Sequence, residues 1–225
     1  MPDLMSLEEA VGFAENPEPR CPCVLLLDVS GSMSGAPIQA LNEGLKVFQQ
    51  ELSQDNLAKK RVEVAIIAFS DVVQIIQDFA NPDDFTLPTL IAGGLTHTGT
   101  AINKALDMIQ TRKAQYRVNG VSYYRPWVFL ITDGEPQGES TEMVARAIQR
   151  IHDEETSKRM AFFAVGVEGA NLSRLSQLSV RSPLLLKGLS FRELFIWLSA
   201  SLESVSHSKL DDQVPLQSPA GWAEV

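Results

Sequence analysis

Cysteine is almost missing from this chain: two of 225 residues, Cys21 and Cys23, separated only by Pro22. That spacing is poor for a mutual disulfide, and two thiols are too few for a thiolate metal site. Both are expected to be free thiols at the start of a buried strand. Histidine is equally scarce, with three scattered residues, His97, His152 and His207. A histidine-built centre is therefore not expected, and His97 reads as a rim residue rather than a ligand. Positive charge is in deficit, 19 Lys and Arg against 28 Asp and Glu for a net charge of −9, and no basic cluster stands out. Nucleic acid and anionic membrane surfaces are disfavoured as partners. No window is long and apolar enough for a transmembrane helix, and the acidic opening MPDLMSLEEAVGFAENPEPR lacks the apolar stretch of a signal peptide. A cytoplasmic protein is expected. The glycine-rich signatures of P-loops and dinucleotide folds and the Gly-x-Ser-x-Gly nucleophile turn are absent as well.

What is present is an ordinary globular composition, 44% hydrophobic and 21% charged, enough for one large domain. Short apolar β-branched runs alternate with segments of three- and four-residue periodicity, the pattern of a parallel sheet flanked by helices. Residues 24–27 are continuously apolar, as a strand covered on both faces must be. Ile38, Leu41, Leu45, Phe48 and Leu52 then mark a one-sided helix opening at Pro37. Residues 62–69 and 72–79 are strands separated by Ser70-Asp71, too short for a crossover, so they pair as an antiparallel hairpin with the second strand at the sheet edge. Further strands are expected at 127–132, 160–167 and 183–186. Helices are expected on Ile102, Ala105, Leu106 and Ile109, on Val144, Ala147, Ile148 and Ile151, at 172–178, and on the stripe Phe191, Leu194, Phe195, Leu198, Leu202 and Val205.

The fold implied is a doubly wound, Rossmann-like α/β domain over residues 21–206, a mostly parallel six-stranded sheet with one antiparallel edge strand and helices on both faces. Residues 1–20 and 207–225 are polar and read as tails or surface wraps. Trp222, in the second of these, either packs back on the domain or anchors a partner. Folds of this kind bind ligands at the carboxyl ends of the strands, where the strand order reverses.

Three loops expected near that end carry unusual chemistry: Asp28-Val-Ser30-Gly-Ser32, Gly94-Leu-Thr96-His-Thr98-Gly and Thr132-Asp133-Gly-Glu135. Alternate side chains of an extended segment share a face, so Asp28, Ser30 and Ser32 can converge while Gly31 keeps the loop tight. Every atom offered is an oxygen, which suits Mg²⁺, with Mn²⁺ and Ca²⁺ compatible, and two carboxylates cancel the charge of a divalent ion. Asp-x-Ser-x-Ser also suits the start of a helix with capping hydroxyls, but that leaves Thr96 and Asp133 unexplained. Thr98 and Thr100 fit loop and N-cap roles. Glu135 fits a turn and is left out of the metal shell; Asp71 fits either a hairpin turn or an approach to the metal face.

In order and context, Asp28, Ser30, Ser32, Thr96 and Asp133 resemble the metal-ion-dependent adhesion site (MIDAS) of von Willebrand factor A (vWA) domains. Along LLLDVSGSMSGAPI, RPWVFLITDGEP, LSFRELFIWLSASLESVSHS and VPLQSPAGWAEV the chain further resembles the tellurium-resistance-associated, TerY-like A-domain proteins. The resemblance implies that Ser30 and Ser32 ligate the ion directly, Thr96 directly or through water, and Asp28 and Asp133 largely through water. It implies a non-enzymatic binding module that captures a partner carboxylate. The setting it suggests is a bacterial tellurite-resistance or stress-response system, with a protein kinase and a PP2C-type phosphatase as partners. The competing readings are a Mg²⁺-dependent phosphoryl-transfer or hydrolytic enzyme and an extracellular adhesion domain. The first lacks a P-loop ending or a second aspartate two residues after Asp28; the second lacks an export signal.

Overall fold

The computed structural model describes residues 12–210 and 212–224, so most of the N-terminal polar segment, 1–11, lies outside the described residues. In chain order the elements are β1 (Cys21–Asp28), α1 (Ala36–Gln54), the single turn α2 (Ala58–Arg61), β2 (Val62–Phe69), β3 (Val73–Ala80), α3 (Thr98–Val118) and β4 (Trp127–Thr132). They continue with α4 (Thr141–Thr156), β5 (Ala161–Gly166), the short α5 (Leu172–Leu175), β6 (Leu184–Leu186), α6 (Phe191–His207) and β7 (Ala223–Glu224). One sheet results, in the order β3-β2-β1-β4-β5-β6-β7. Neighbours are parallel except at the two edges, where β3 and β7 run antiparallel to β2 and β6.

The doubly wound reading holds, with one correction: the strands number seven and both edges are antiparallel. The extra strand comes from the segment read as a tail. Its two residues, paired Leu185 with Glu224 and Leu186 with Ala223, are too few to leave a periodic pattern in sequence. Trp222 anchors it. Its side chain is buried, its ring lies 5.3 Å from that of Trp197, and Trp197 Nε1 donates to the Gln217 carbonyl at 2.9 Å.

Strands β1, β2 and β4 are buried at every position, which is why their sequences are nearly unbroken apolar runs. The two-residue period divides them between two cores. Leu25, Leu27, Ile66 and Phe129 face α1 and α6 through Leu41, Leu45, Phe48, Phe195, Leu198 and Leu202. Val24, Leu26, Ile67 and Leu130 face α3 and α4 through Ile102, Leu106, Ile109, Ala147 and Ile151. Each fully buried side chain of this size stabilises the fold by about 1.5–3 kcal/mol before the entropy of ordering it. Cys21 and Cys23 are free and buried, and burial pushes the Cys21 thiol up to about 12 and Cys23 well above the usual thiol range. Both stay protonated and unreactive at neutral pH.

Near the amino ends of the strands a lone acid sits in an apolar run. Glu63, 2% exposed, accepts from Arg20 Nε at 2.9 Å, from Arg112 Nε at 2.8 Å and from the Tyr116 hydroxyl at 2.5 Å. Arg20 spends its remaining nitrogens on the carbonyls of Glu18 and Asn16. Removing the acid leaves two guanidinium groups facing each other in a poorly solvated site. Glu63→Ala is expected to lower unfolding free energy by about 3–5 kcal/mol, read from urea denaturation. Trp222→Ala is expected to cost about 3–5 kcal/mol on the same measurement; a midpoint equal to that of the wild type would show that β7 adds nothing to the fold.

Candidate metal centre

β1 lies mid-sheet, with β2 on one side and β4 on the other. The chain moves outward to β2 and β3, then returns across the sheet to β4, so the order reverses between β1 and β4. At such a reversal the loops leaving the two strands diverge and open a cleft. Asp28 ends β1 and Thr132 ends β4, placing both at its floor.

Asp28 is fully buried. The Thr132 hydroxyl donates to its Oδ2 at 2.5 Å, and the Ser30 N–H donates to its Oδ1 at 2.8 Å. Burial pushes the Asp28 carboxyl above the usual aspartate range; the hydrogen bonds from Ser30 and Thr132 pull it part of the way back, and the nearby Asp133 charge pushes it further up. Its hydrogen-bonding partners are neutral and do not balance the charge of the ionised form, as a bound cation would.

From Asp28 the backbone stays extended through Ser30, then tightens into a 3₁₀ turn at Gly31–Met33 that leads to α1. Ser30 and Ser32 are brought together by this turn, not by the alternation of an extended segment that the sequence suggested. Their hydroxyl oxygens lie 3.1 Å apart, and Ser32 Oγ donates to Asp133 Oδ1 at 2.8 Å. Ser30 is buried and Ser32 exposed, so the row of oxygens runs from the interior to solvent.

Thr96, also buried, arrives from the loop before α3. Its backbone forms an antiparallel bridge with Gln137, with Gln137 N–H donating to the Thr96 carbonyl at 2.9 Å. A Cβ placed on Gly134 would lie 3.7 Å from Thr96 Oγ1 and 4.0 Å from Asp28 Oδ2, so these two oxygens face a common hollow beside Gly134. Backbone bonds fasten the loops together: Gly31 N–H to the Gly94 carbonyl at 3.0 Å, Gly93 N–H to the Val29 carbonyl at 2.8 Å and His97 N–H to the Ser70 carbonyl at 2.8 Å.

All five residues singled out in the sequence therefore gather at one point. The donor set fits a hard divalent cation. Neighbouring oxygens around an octahedral ion with metal–oxygen bonds of about 2.0–2.1 Å stand about 2.8–3.0 Å apart, close to the observed 3.1 and 2.8 Å steps from Ser30 to Ser32 to Asp133. Among the described residues no group of three or more His, Cys, Asp or Glu is placed to hold a metal. Any metal site here depends on hydroxyls.

The remaining candidates lie around this point with other partners. His97 packs its ring against Gly138, and Asp71 sets its carboxylate against Gly94 while accepting from Ser70. Glu135 accepts from Asn171 Nδ2 at 2.7 Å. Thr98 opens α3, and the Thr100 N–H and hydroxyl both bond to Glu139. Two contributors escaped the sequence reading. Thr132 stood beside Asp133 at the end of an apolar strand, a position from which a hydroxyl can reach an adjacent strand end. Glu139 left no such trace, since its partners lie some 40 residues upstream.

Comparison with known proteins gives the fold a family. The von Willebrand factor type A domain profile matches residues 23–191. Among solved structures, a von Willebrand factor type A protein from Catenulispora acidiphila superposes with a TM-score of 0.63 at 18% identity, covering 83% of this chain and 43% of that one. Proximal thread matrix protein 1 from the mussel byssus matches with a TM-score of 0.57 at 16% identity, over 82% of this chain and 47% of its own. A form of that mussel protein with a zinc-occupied MIDAS motif matches with a TM-score of 0.55 at 17% identity, over 82% and 48%. The chain thus spans less than half the length of these structures, and at such identities the likeness speaks to fold alone. A search of curated proteins gave no significant match. The profile match covers well over half of the chain, including the carboxyl ends of β1 and β4 and all three loops at the cleft, and on that ground this chain belongs to the von Willebrand factor type A domain family.

Proposed function

We propose that this chain is a non-enzymatic protein-binding module that uses a divalent cation, Mg²⁺ by preference, to capture a carboxylate of a partner protein. The observation that carries the reading is the row of oxygens from Ser30 through Ser32 to Asp133, set above the buried Asp28 at the strand-order reversal. Ser30, Ser32 and Thr96 would hold the ion through neutral hydroxyls, with Asp28 and Asp133 providing the negative charge. When bound, the cation supplies an electrophilic centre that a partner's acidic side chain can complete. Asp28 is oriented for this by Thr132 and by the Ser30 N–H, and Ser32, exposed at the cleft mouth, borders the path by which a partner side chain approaches.

The likeness of the sequence to TerY-like A-domain proteins supports a cytoplasmic scaffold in a bacterial tellurite-resistance or stress-response system. A protein kinase and a PP2C-type phosphatase are the proposed partners. Against the rival reading of a phosphoryl-transfer or hydrolytic enzyme stand the lack of a P-loop ending, of a second aspartate two residues after Asp28 and of a Gly-x-Ser-x-Gly turn.

Mg²⁺ or Mn²⁺ at a hundredfold excess over its Kd is expected to raise Tm by about 5–10 °C, reversibly with EDTA. In Asp28→Ala that shift is expected to vanish. A wild-type Tm indifferent to Mg²⁺, Mn²⁺ and Ca²⁺ would reject the metal site. In affinity capture from host lysate, the partner is expected to be lost with Asp28→Ala and equally with EDTA; a partner retained in both would show that binding does not pass through the metal.

A further inference from the structure

The metal-centre residues come from three separate loops, and the loops carrying Thr96 and Asp133 are held together by an acid that lies outside the set. Glu139 Oε1 accepts the Gly99 N–H at 2.6 Å, and Oε2 accepts both the Thr100 N–H at 2.9 Å and the Thr100 hydroxyl at 3.0 Å. These are unsatisfied donors of the first turn of α3, which has no side-chain cap of its own at His97. The next residue, Ser140, caps α4 by accepting the Met143 N–H at 3.2 Å. Two consecutive residues thus secure the amino ends of two helices.

The contact admits little slack. A Cβ on Gly99 would stand 2.9 Å from the Cα and N of Val144, so the first turns of α3 and α4 touch backbone to backbone. Thr96 lies two residues before α3, and its bridge partner Gln137 lies two residues before Glu139. Asp133 is at the start of that same loop. Any rotation of the α3 amino end against the loop would therefore move Thr96 relative to Asp133. Charge acts in the same direction. The positive end of the α3 dipole begins two residues after Thr96, and the Glu139 carboxylate offsets it.

We propose that Glu139 is a positioning residue for the metal centre: by clamping the amino end of α3 to the loop after β4, it holds Thr96 and Asp133 in one ligand shell. This rests on the metal reading above. Glu139 does not ligate the ion; its effect passes through the backbone of Gly99 and Thr100 and through the local field.

The test is Mn²⁺ titration followed by the electron paramagnetic resonance signal of free Mn²⁺, on the full chain and three variants. Glu139→Ala is expected to weaken Mn²⁺ binding by about 10–100-fold. Glu139→Gln, which keeps one acceptor but loses the charge and one bond, is expected to fall between it and the wild type. Asp107→Ala is the packing control: it removes the 2.7 Å ion pair from Arg150 that joins the same two helices farther along, and it is expected to leave Mn²⁺ affinity unchanged. Glu139→Gln serves alone if Glu139→Ala fails to fold. Affinity of the folded Glu139 variants within twofold of wild type, or an equal loss in Asp107→Ala, would overturn the positioning role while leaving the metal reading intact. No Mn²⁺ binding by the wild-type chain would overturn both.

Discussion

The hydrogen bond from the Thr132 hydroxyl to the Asp28 carboxylate joins the ends of the two strands between which the sheet reverses its order, and the rest of the cleft is assembled on it. Asp28 in turn takes the Ser30 N–H, fixing the extended Ser30 from which the 3₁₀ turn carrying Ser32 begins. Ser32 reaches back to Asp133, the residue that follows Thr132, and so closes the circuit. Each link is local, but the circuit exists only because β1 and β4 pair in parallel along Cys23–Leu27 and Trp127–Ile131. A buried acid is costly unless its acceptors are satisfied. Here neutral donors satisfy part of its capacity and leave the charge itself uncompensated.

The two poles of the sheet treat a buried carboxylate in opposite ways. Glu63, at the start of β2, is enclosed by two guanidinium groups and a phenol, so its charge is balanced within the fold. Asp28, at the end of β1, takes its hydrogen bonds from the neutral groups of Ser30 and Thr132, with a second acid, Asp133, close by. The first arrangement is closed and serves stability. The second has neutral hydrogen-bonding partners and stands where the loops leaving β1 and β4 diverge. The charge of their partners separates the two acids where burial does not, since both side chains are almost completely inaccessible.

Much of the architecture was legible. The unbroken run before Asp28 and the stripe from Ile38 to Leu52 each correspond to an element whose core-facing residues are those the pattern named, and the hairpin pairs antiparallel as expected, with β3 starting one residue later. The periodic pattern works because burial on one or both faces is what makes these segments regular. It failed at β7, where two residues carry no period and the segment is held by one tryptophan instead. Strand ends also shifted: β1 begins at Cys21, three residues ahead of the apolar core of the run, because backbone pairing with Val62 extends past the residues that need burial.

The site divides along the same line. The five residues proposed for the ion were named from the sequence, Asp28, Ser30 and Ser32 by their oxygens at alternate positions after a buried strand, and the set with Thr96 and Asp133 by its resemblance to the MIDAS pattern. Residues that supply position were not. Thr132, Gln137 and Glu139 act across 104, 41 and 40 residues of chain, through bonds to groups whose nearness depends on how the strands and helices pack. Short-range chemistry is written in residue type and spacing. Long-range geometry exists only once the sheet has brought the ends of β1 and β4 together and pressed the first turns of α3 and α4 into contact, because a hydrogen bond needs its partners within about 3 Å and no sequence pattern records that distance.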